Sequence, residues 1–234
     1  MTTLQKNKKV FAALTVAVSF SAIASLKAEA AIITVNDSGN WITGANTIAN
    51  QGFNPIPVPN GPEALGTDLS LLSSPLGNIE FMGSVNKREI GKGWQTWSNG
   101  YTGEVYFTNG APTLDIALPN LSAFDFYAQP DVFTPGVFSP FTISVVAQSG
   151  VVSDVLSQAV NGESGAQYFG FYSDDPLDPI RSIRITGEQE SGGFAIAQMR
   201  GARTAVVPTP LLLPGVIGLA VGLWRKARNK QRVS

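Results

Sequence analysis

Between residues 31 and 205, apolar and polar side chains alternate with a period of two, in short runs closed by Gly, Pro, Asn or Asp. Leu114, Ile116 and Leu118 enclose Asp115 and Ala117; Phe124 and Phe126 enclose Asp125; Phe141, Ile143 and Val145 enclose Thr142 and Ser144. The pairs Phe169/Phe171, Ile183/Ile185 and Phe194/Ile196 repeat the pattern. Such a period sends one set of side chains into a core and the other toward water, as in antiparallel strands with one solvated face. Further strands are expected at Ile32–Val35, Trp41–Ile48, Ile79–Met82, Glu104–Thr108 and Asp154–Val160. Asn109-Gly110, Ser149-Gly150, Asn161-Gly162 and Ser191-Gly192-Gly193 supply turn chemistry between the runs. Some eight to eleven short strands without intervening helices predict an all-β fold, a jelly-roll-like antiparallel sandwich of two sheets.

Two stretches depart from the alternation. Leu65, Leu69 and Leu72 recur at spacings of four and three, which leaves room for a short helix around Glu63–Leu72 without altering the class. Asn50–Gly66 holds Pro55, Pro57, Pro59 and Pro62 with Gly52, Gly61 and Gly66. Prolines at that density exclude a central strand and predict an extended surface crossover.

Both ends are apolar for a different reason. Lys6, Lys8 and Lys9 precede a nearly uninterrupted apolar run, Val10–Leu26, followed by Ala28-Glu29-Ala30. A cationic start, an apolar centre and a small-x-small ending form a secretory leader, residues 1–30, cut by signal peptidase after Ala30, with Ala31 as the neighbouring alternative; an uncleaved amphipathic helix is the other reading. At the other end Pro208 and Pro210 hold off a helix until about Leu211, and Pro214 suits a first helical turn. A helix over 211–224 would be roughly 21 Å long against a hydrocarbon core of ~30 Å, short for a permanent anchor. Trp224 suits the interface, and Arg225 and Lys226 can extend the reach by snorkelling. Gly218 and Gly222 form a small-xxx-small pair that allows close approach of a second helix. With the leader removed, the basic tail stays in the cytoplasm and the bulk of the chain lies outside.

Pro208-Thr209-Pro210, Leu213-Pro214-Gly215, the Gly-rich apolar stretch and the terminal basic cluster resemble the PEP-CTERM sorting signal. The subclass with a replaced central Glu, of cyanobacterial type, fits best. The resemblance implies recognition by an exosortase-type membrane enzyme, cleavage near the Pro-x-Pro, and delivery of a transiently membrane-held protein to the cell surface or exopolysaccharide. Thr209 departs from the founding motif; an ordinary tail-anchor helix is the alternative. A second resemblance covers residues 94–203. Trp94-Gln-Thr-Trp97, Gly100-Tyr101-Thr-Gly103, Ser164–Tyr172 and Gly193-Phe194-Ala195-Ile196 are similar to the sandwich bodies of exported PEP-CTERM proteins. Many of those carry Asp-Asn where this chain has Ala197-Gln198. The domains expected are therefore a leader (1–30), a β body (31–205) and a sorting signal (206–234).

Charge and composition narrow the chemistry. The chain of 234 residues carries 16 Lys+Arg and 17 Asp+Glu, but the charges are segregated. Five basic residues and no acid fall in 206–234, whereas the body holds seven basic and sixteen acidic groups. Such a body lacks the basic footprint of a nucleic-acid partner. Without His or Cys there is no Ser-His-Asp catalysis, no thiol nucleophile, no disulfide and no His or Cys metal site. Carboxylate, hydroxyl, lysine and hard-cation chemistry remain.

Four constellations are candidates. Asp174, Asp175 and Asp178 lie in an Asp-Asp-Pro-Leu-Asp-Pro loop that could offer oxygens to a Ca²⁺ cofactor or could be solvated turn residues. Trp94, Trp97 and Tyr101, with Tyr106, Tyr127, Tyr168 and Tyr172, could present a sugar-stacking face or serve as core and rim packing. Lys87-Arg88-Glu89 with Lys92 could dock an acidic polymer or form a solvated charged hairpin. A glycosidase needs two carboxylates about 5 Å or 6.5–9.5 Å apart, and no motif marks such a pair. The sequence thus favours a non-enzymatic exported surface or matrix protein. A carbohydrate-binding module acting on exopolysaccharide, with or without the help of calcium, is the alternative, and a carboxylate-based polysaccharide hydrolase or lyase comes third.

Overall fold

The computed structural model describes residues 30–36, 47–131 and 140–203. Thirteen strands occupy them: β1 (Ile32–Val35), β2 (Ile56–Pro57), β3 (Asp68–Ser74), β4 (Gly77–Ile90), β5 (Gly93–Trp94), β6 (Glu104–Phe107), β7 (Thr113–Leu121), β8 (Ala123–Pro130), β9 (Phe141–Gln148), β10 (Ser153–Val160), β11 (Gln167–Ser173), β12 (Ile180–Gly187) and β13 (Phe194–Ala202). Helical structure among the described residues is confined to short 3-10 turns at Ile48–Gln51 and Gln189–Ser191. No helix among them is long and apolar enough to cross a membrane. The leader up to residue 29, residues 41–46 of the strand expected at Trp41–Ile48, and the sorting segment with Pro208 to Lys226 lie outside the described residues. Ile48 itself opens a 3-10 turn.

The chain is all-β, but the two separate sheets expected from the alternation are replaced by one. Its order is β1-β11-β8-β13-β6-β4-β7-β12-β9-β10, antiparallel except for the two-residue β4–β5 pairing. β10 returns beside β1 and β11, so the sheet is nearly closed into a barrel. At the seam a side chain does the joining: the Gln158 amide donates to the Tyr168 carbonyl at 2.6 Å. Alternation dictates which face of a strand is inside; it does not dictate which strands meet at the seam.

The inward residues form one core. Ile79, Phe81, Leu114, Ile116, Phe124, Phe126, Ile143, Val145, Phe169, Phe171, Ile183, Ile185, Phe194 and Ile196 are all in it, as the alternation anticipates. Phe126 and Phe169 face each other across β8 and β11, with ring centroids 5.7 Å apart and planes within 15°. Asn109 and Gly110 both take positive φ, the requirement of a tight hairpin turn, between β6 and β7.

Three local expectations change. The leucines at 69 and 72 belong to strand β3, hairpinned onto β4 through Ser74–Gly77, with a register shift between Leu69 and Leu71 in place of the helix that the spacing allowed. Leu69 and Leu72 are buried and Leu65 is exposed, so the spacing reflects a bulged strand. Lys87 is no solvated hairpin charge. Only 1 % exposed, it donates to the carbonyls of Gly61 and Glu63 and pairs with Glu104 at 2.9 Å. Finally, Asn50–Gly66 is the extended crossover expected, but it is stitched to the barrel: β2 pairs with β13, and the Val58 amide donates to the Met199 carbonyl at 2.9 Å.

Replacing Phe126 by Ala removes half of the Phe126–Phe169 stack, both rings of which are fully buried. An expected loss of ~3–5 kcal/mol follows from the cavity and lost burial. Urea unfolding of the two proteins measures it; a change below about 1 kcal/mol would place Phe126 outside the core.

Candidate functional site

β8 is buried on both faces. Phe124, Phe126 and Ala128 point into the barrel, so Ala123, Asp125, Tyr127 and Gln129 point out, away from the core. Two segments cover them. Ile48, in the 3-10 turn that leads into the crossover, and Phe53 of the crossover pack with Ala123, Tyr127 and Tyr168, while Trp94, Val105 and Phe107 pack with Ala195 and Ala197 of β13. Trp97 touches both clusters.

Polar groups under this roof are held in pairs. Asp125, 1 % exposed, accepts from Arg200 Nε at 3.0 Å and from its terminal nitrogen at 2.5 Å. Tyr168 Oη donates to the same carboxylate at 2.9 Å and accepts from the Ile48 backbone N–H at 2.9 Å. Gly170, opposite Asp125 in the β8–β11 register, has no side chain to block that hydroxyl: a Cβ there would lie 2.6 Å from Tyr168 Oη. Burial pushes the Asp125 carboxyl up from its ordinary range against the pull of Arg200, and burial pushes the Tyr168 phenol up as well. Gln129 anchors the second segment, accepting from Trp94 Nε1 at 3.0 Å and donating to Thr96 Oγ1 at 2.8 Å.

A cleft opens where β13 changes neighbours. Ala195 and Ile196 pair with β6, whereas Arg200 and Gly201 pair with β2; the register against β8 shifts in the same interval. Gln198 sits in the interval with φ 54°, a left-handed conformation unusual for a glutamine. The gap, about 580 Å³, lies between Pro57–Asn60, Asn99–Gly103 and Gln198–Arg200. Trp97 Nε1 donates to Gln198 Oε1 at 3.0 Å, which leaves the amide nitrogen as the donating end of that side chain. Tyr101 forms the opposite wall, its hydroxyl donating to the Glu104 carbonyl at 2.8 Å. Loss of water around the ring pushes the Tyr101 phenol up, so it stays neutral. No carboxylate lines the cleft; its one ionic side chain, Arg200, is matched by Asp125.

Among the aromatic residues expected to meet sugar, Trp94 is only 3 % exposed, with its indole N–H on Gln129, and offers no free face. Tyr106, Tyr127 and Tyr168 are likewise buried. Trp97 and Tyr101 are half-buried neighbours, with centroids 6.3 Å apart and planes tilted by 54°, so they do not make a flat double platform. The three loop carboxylates are each engaged separately. Asp174 Oδ1 accepts from the Ala31 N–H at 2.7 Å, and Asp175 Oδ1 from the Leu177 N–H at 2.8 Å. Asp178 accepts from Ser149 Oγ at 2.5 Å and from the Gly150 N–H at 3.0 Å, clamping the β9–β10 turn to the β11–β12 loop. Among the described residues no group of three Asp or Glu side chains is gathered as a metal site.

Asn60, Asn99, Gln198, Asp125 and Arg200 escape the sequence reading. Signals existed for some: Asn99-Gly100 is turn chemistry, and an Asp inside Ala123–Tyr127 is a carboxylate in an apolar strand that would need a partner if both faces were covered. The Arg200 pairing is set by long-range register and leaves no local mark. Compared with known protein families and with characterised proteins, the chain matches no family and no characterised relative.

The clamp predicts a pH dependence. The Ser149 hydroxyl, helped by backbone N–H groups and Arg181, holds Asp178 below its ordinary carboxylate range. The stability it contributes is therefore present above the unfolded value, about pH 4, and is lost as pH falls through the folded one. Asp178→Asn is expected to lower the melting temperature at neutral pH and to flatten its decline on the acid side. Parallel melting curves from pH 7 to about pH 3 check this; an unchanged acid slope would remove Asp178 from that role.

Proposed function

We propose that this chain is a non-enzymatic surface or extracellular-matrix protein, exported through a cleaved leader and sorted through its C-terminal signal by an exosortase-type membrane enzyme. The body would be held at the membrane only until that second cut, then released to the cell surface or matrix. The observation that carries this reading is the setting of Ala31. Its N–H lies 2.7 Å from Asp174 Oδ1, and its carbonyl accepts from the Asp174 N–H at 3.1 Å. A cut after Ala30 turns that donor into an α-ammonium already facing a carboxylate, an arrangement that strengthens the contact.

The strand boundaries support the same division. β1 begins at Ile32 and β13 ends at Ala202, so cuts after Ala30 and near Pro208 would remove no strand among the described residues. The cleft supports binding over hydrolysis, because a two-carboxylate mechanism needs acids that its lining does not hold.

Secreted material from the native cell tests the reading. N-terminal sequencing should begin at Ala31, and peptide mapping of the extracellular fraction should find no peptide containing Arg232. Retention of the leader, or of Arg232 outside the cell, contradicts it.

A further inference from the structure

We infer that the cleft at the β13 fork is a binding site for a neutral, polyhydroxylated ligand, a short stretch of uncharged glycan. This inference stands apart from the export reading, because it rests on the lining alone. Asn99 and Gln198 bring two side-chain amides to one gap; Asn60 also lines it, its Nδ2 donating to Tyr101 Oη at 3.5 Å and its Oδ1 accepting from Tyr106 Oη at 3.4 Å, and Tyr101 adds an aromatic wall with a neutral hydroxyl. Amides donate and accept at once, as sugar hydroxyls do, and an aromatic ring can cover the C–H face of a pyranose. The volume falls within the ~300–1,000 Å³ typical of small-molecule sites.

Two observations mark the cleft as built. Four non-glycine residues among those described take positive φ, namely Asn99, Asn109, Asn120 and Gln198, and two of the four line this gap. Asn109 and Asn99 are each accounted for by an Asn-Gly turn; Gln198 is not in a turn, and its strain is maintained by the bulge and by the bond from Trp97. The second observation is the disposition of charge. Arg200 would draw an anion, yet its guanidinium is spent on Asp125 beneath the cleft floor. The surrounding body has sixteen acidic residues against seven basic ones, which repels polyanions at a distance. Charge thus separates a neutral glycan from an acidic one. The unexplained amide nitrogen of Gln198 becomes a donor to a sugar oxygen.

The test is calorimetric titration of the full-length chain, kept in a detergent lacking a sugar headgroup. The probes are short neutral oligosaccharides of glucose, mannose, galactose and xylose, with an oligouronate as the charged counterpart. At least one neutral oligosaccharide should bind saturably and more tightly than the oligouronate. Tyr101→Ala and Asn99→Gly should each weaken it by roughly tenfold, the loss of one ring face or one amide. Asn99→Gly keeps a residue suited to φ 59°, so its melting temperature should match the parent's and its effect cannot be a folding defect. The inference is overturned if none of the neutral probes binds, if the oligouronate binds better, or if both variants bind as the parent does.

Discussion

A carboxylate and a guanidinium shut beneath a roof have to be given to each other, and the outer wall of this barrel is arranged around that demand. Asp125 lies on the outward face of β8, where a strand with one solvated face would have left it in water. Because the crossover and the Trp94–Tyr101 segment lie over β8 and β13, the charge is desolvated, and only Arg200 and Tyr168 compensate it. Taking either member of such a pair away strands the other. The 3-10 turn leading into the crossover joins the same network at Ile48, whose amide ends on the Tyr168 hydroxyl.

From that wall the cleft follows by topology. β13 cannot pair with β6 along its whole length, because the crossover claims its second half through β2. The handover leaves a bulge, the bulge throws Gln198 into a left-handed conformation, and Trp97 holds its side chain. Arg200 connects both levels: it lines the gap and closes the ion pair under it. The roof therefore positions the cleft as much as the barrel does.

Much of the barrel was legible in the sequence and little of the wall was. Alternation at Leu114–Leu118, Phe141–Val145 and Ile183–Ile185 named inward faces correctly, since burial on one side is what a period of two encodes. Phe124–Tyr127 carries the same period, yet both faces are covered, and a strand cannot announce a roof supplied by residues roughly thirty and seventy positions away. The leucines of 65–72 mimicked helical spacing because a bulge shifts the inward phase between Leu69 and Leu71. Closure into one sheet depends on β10 meeting β1 and β11, a long-range matter that local pattern leaves open. Of the sugar-facing aromatics only Tyr101 lines the cleft, because ring count says nothing about which rings are inside.

Hydrogen exchange in Asp125→Ala bears most directly on the claim that the buried pair holds the roof. Without the carboxylate, Arg200 loses its ion-pair partner and Tyr168 loses its acceptor, a change on the order of 3–5 kcal/mol for a buried pair. The account predicts that the amides of Ile48 and Val58, which bond to Tyr168 and to the Met199 carbonyl, exchange at least tenfold faster than in the parent, while amides of β7, paired with β4 and β12, exchange as in the parent. Unchanged protection at Ile48 and Val58 in a folded Asp125→Ala protein would contradict it.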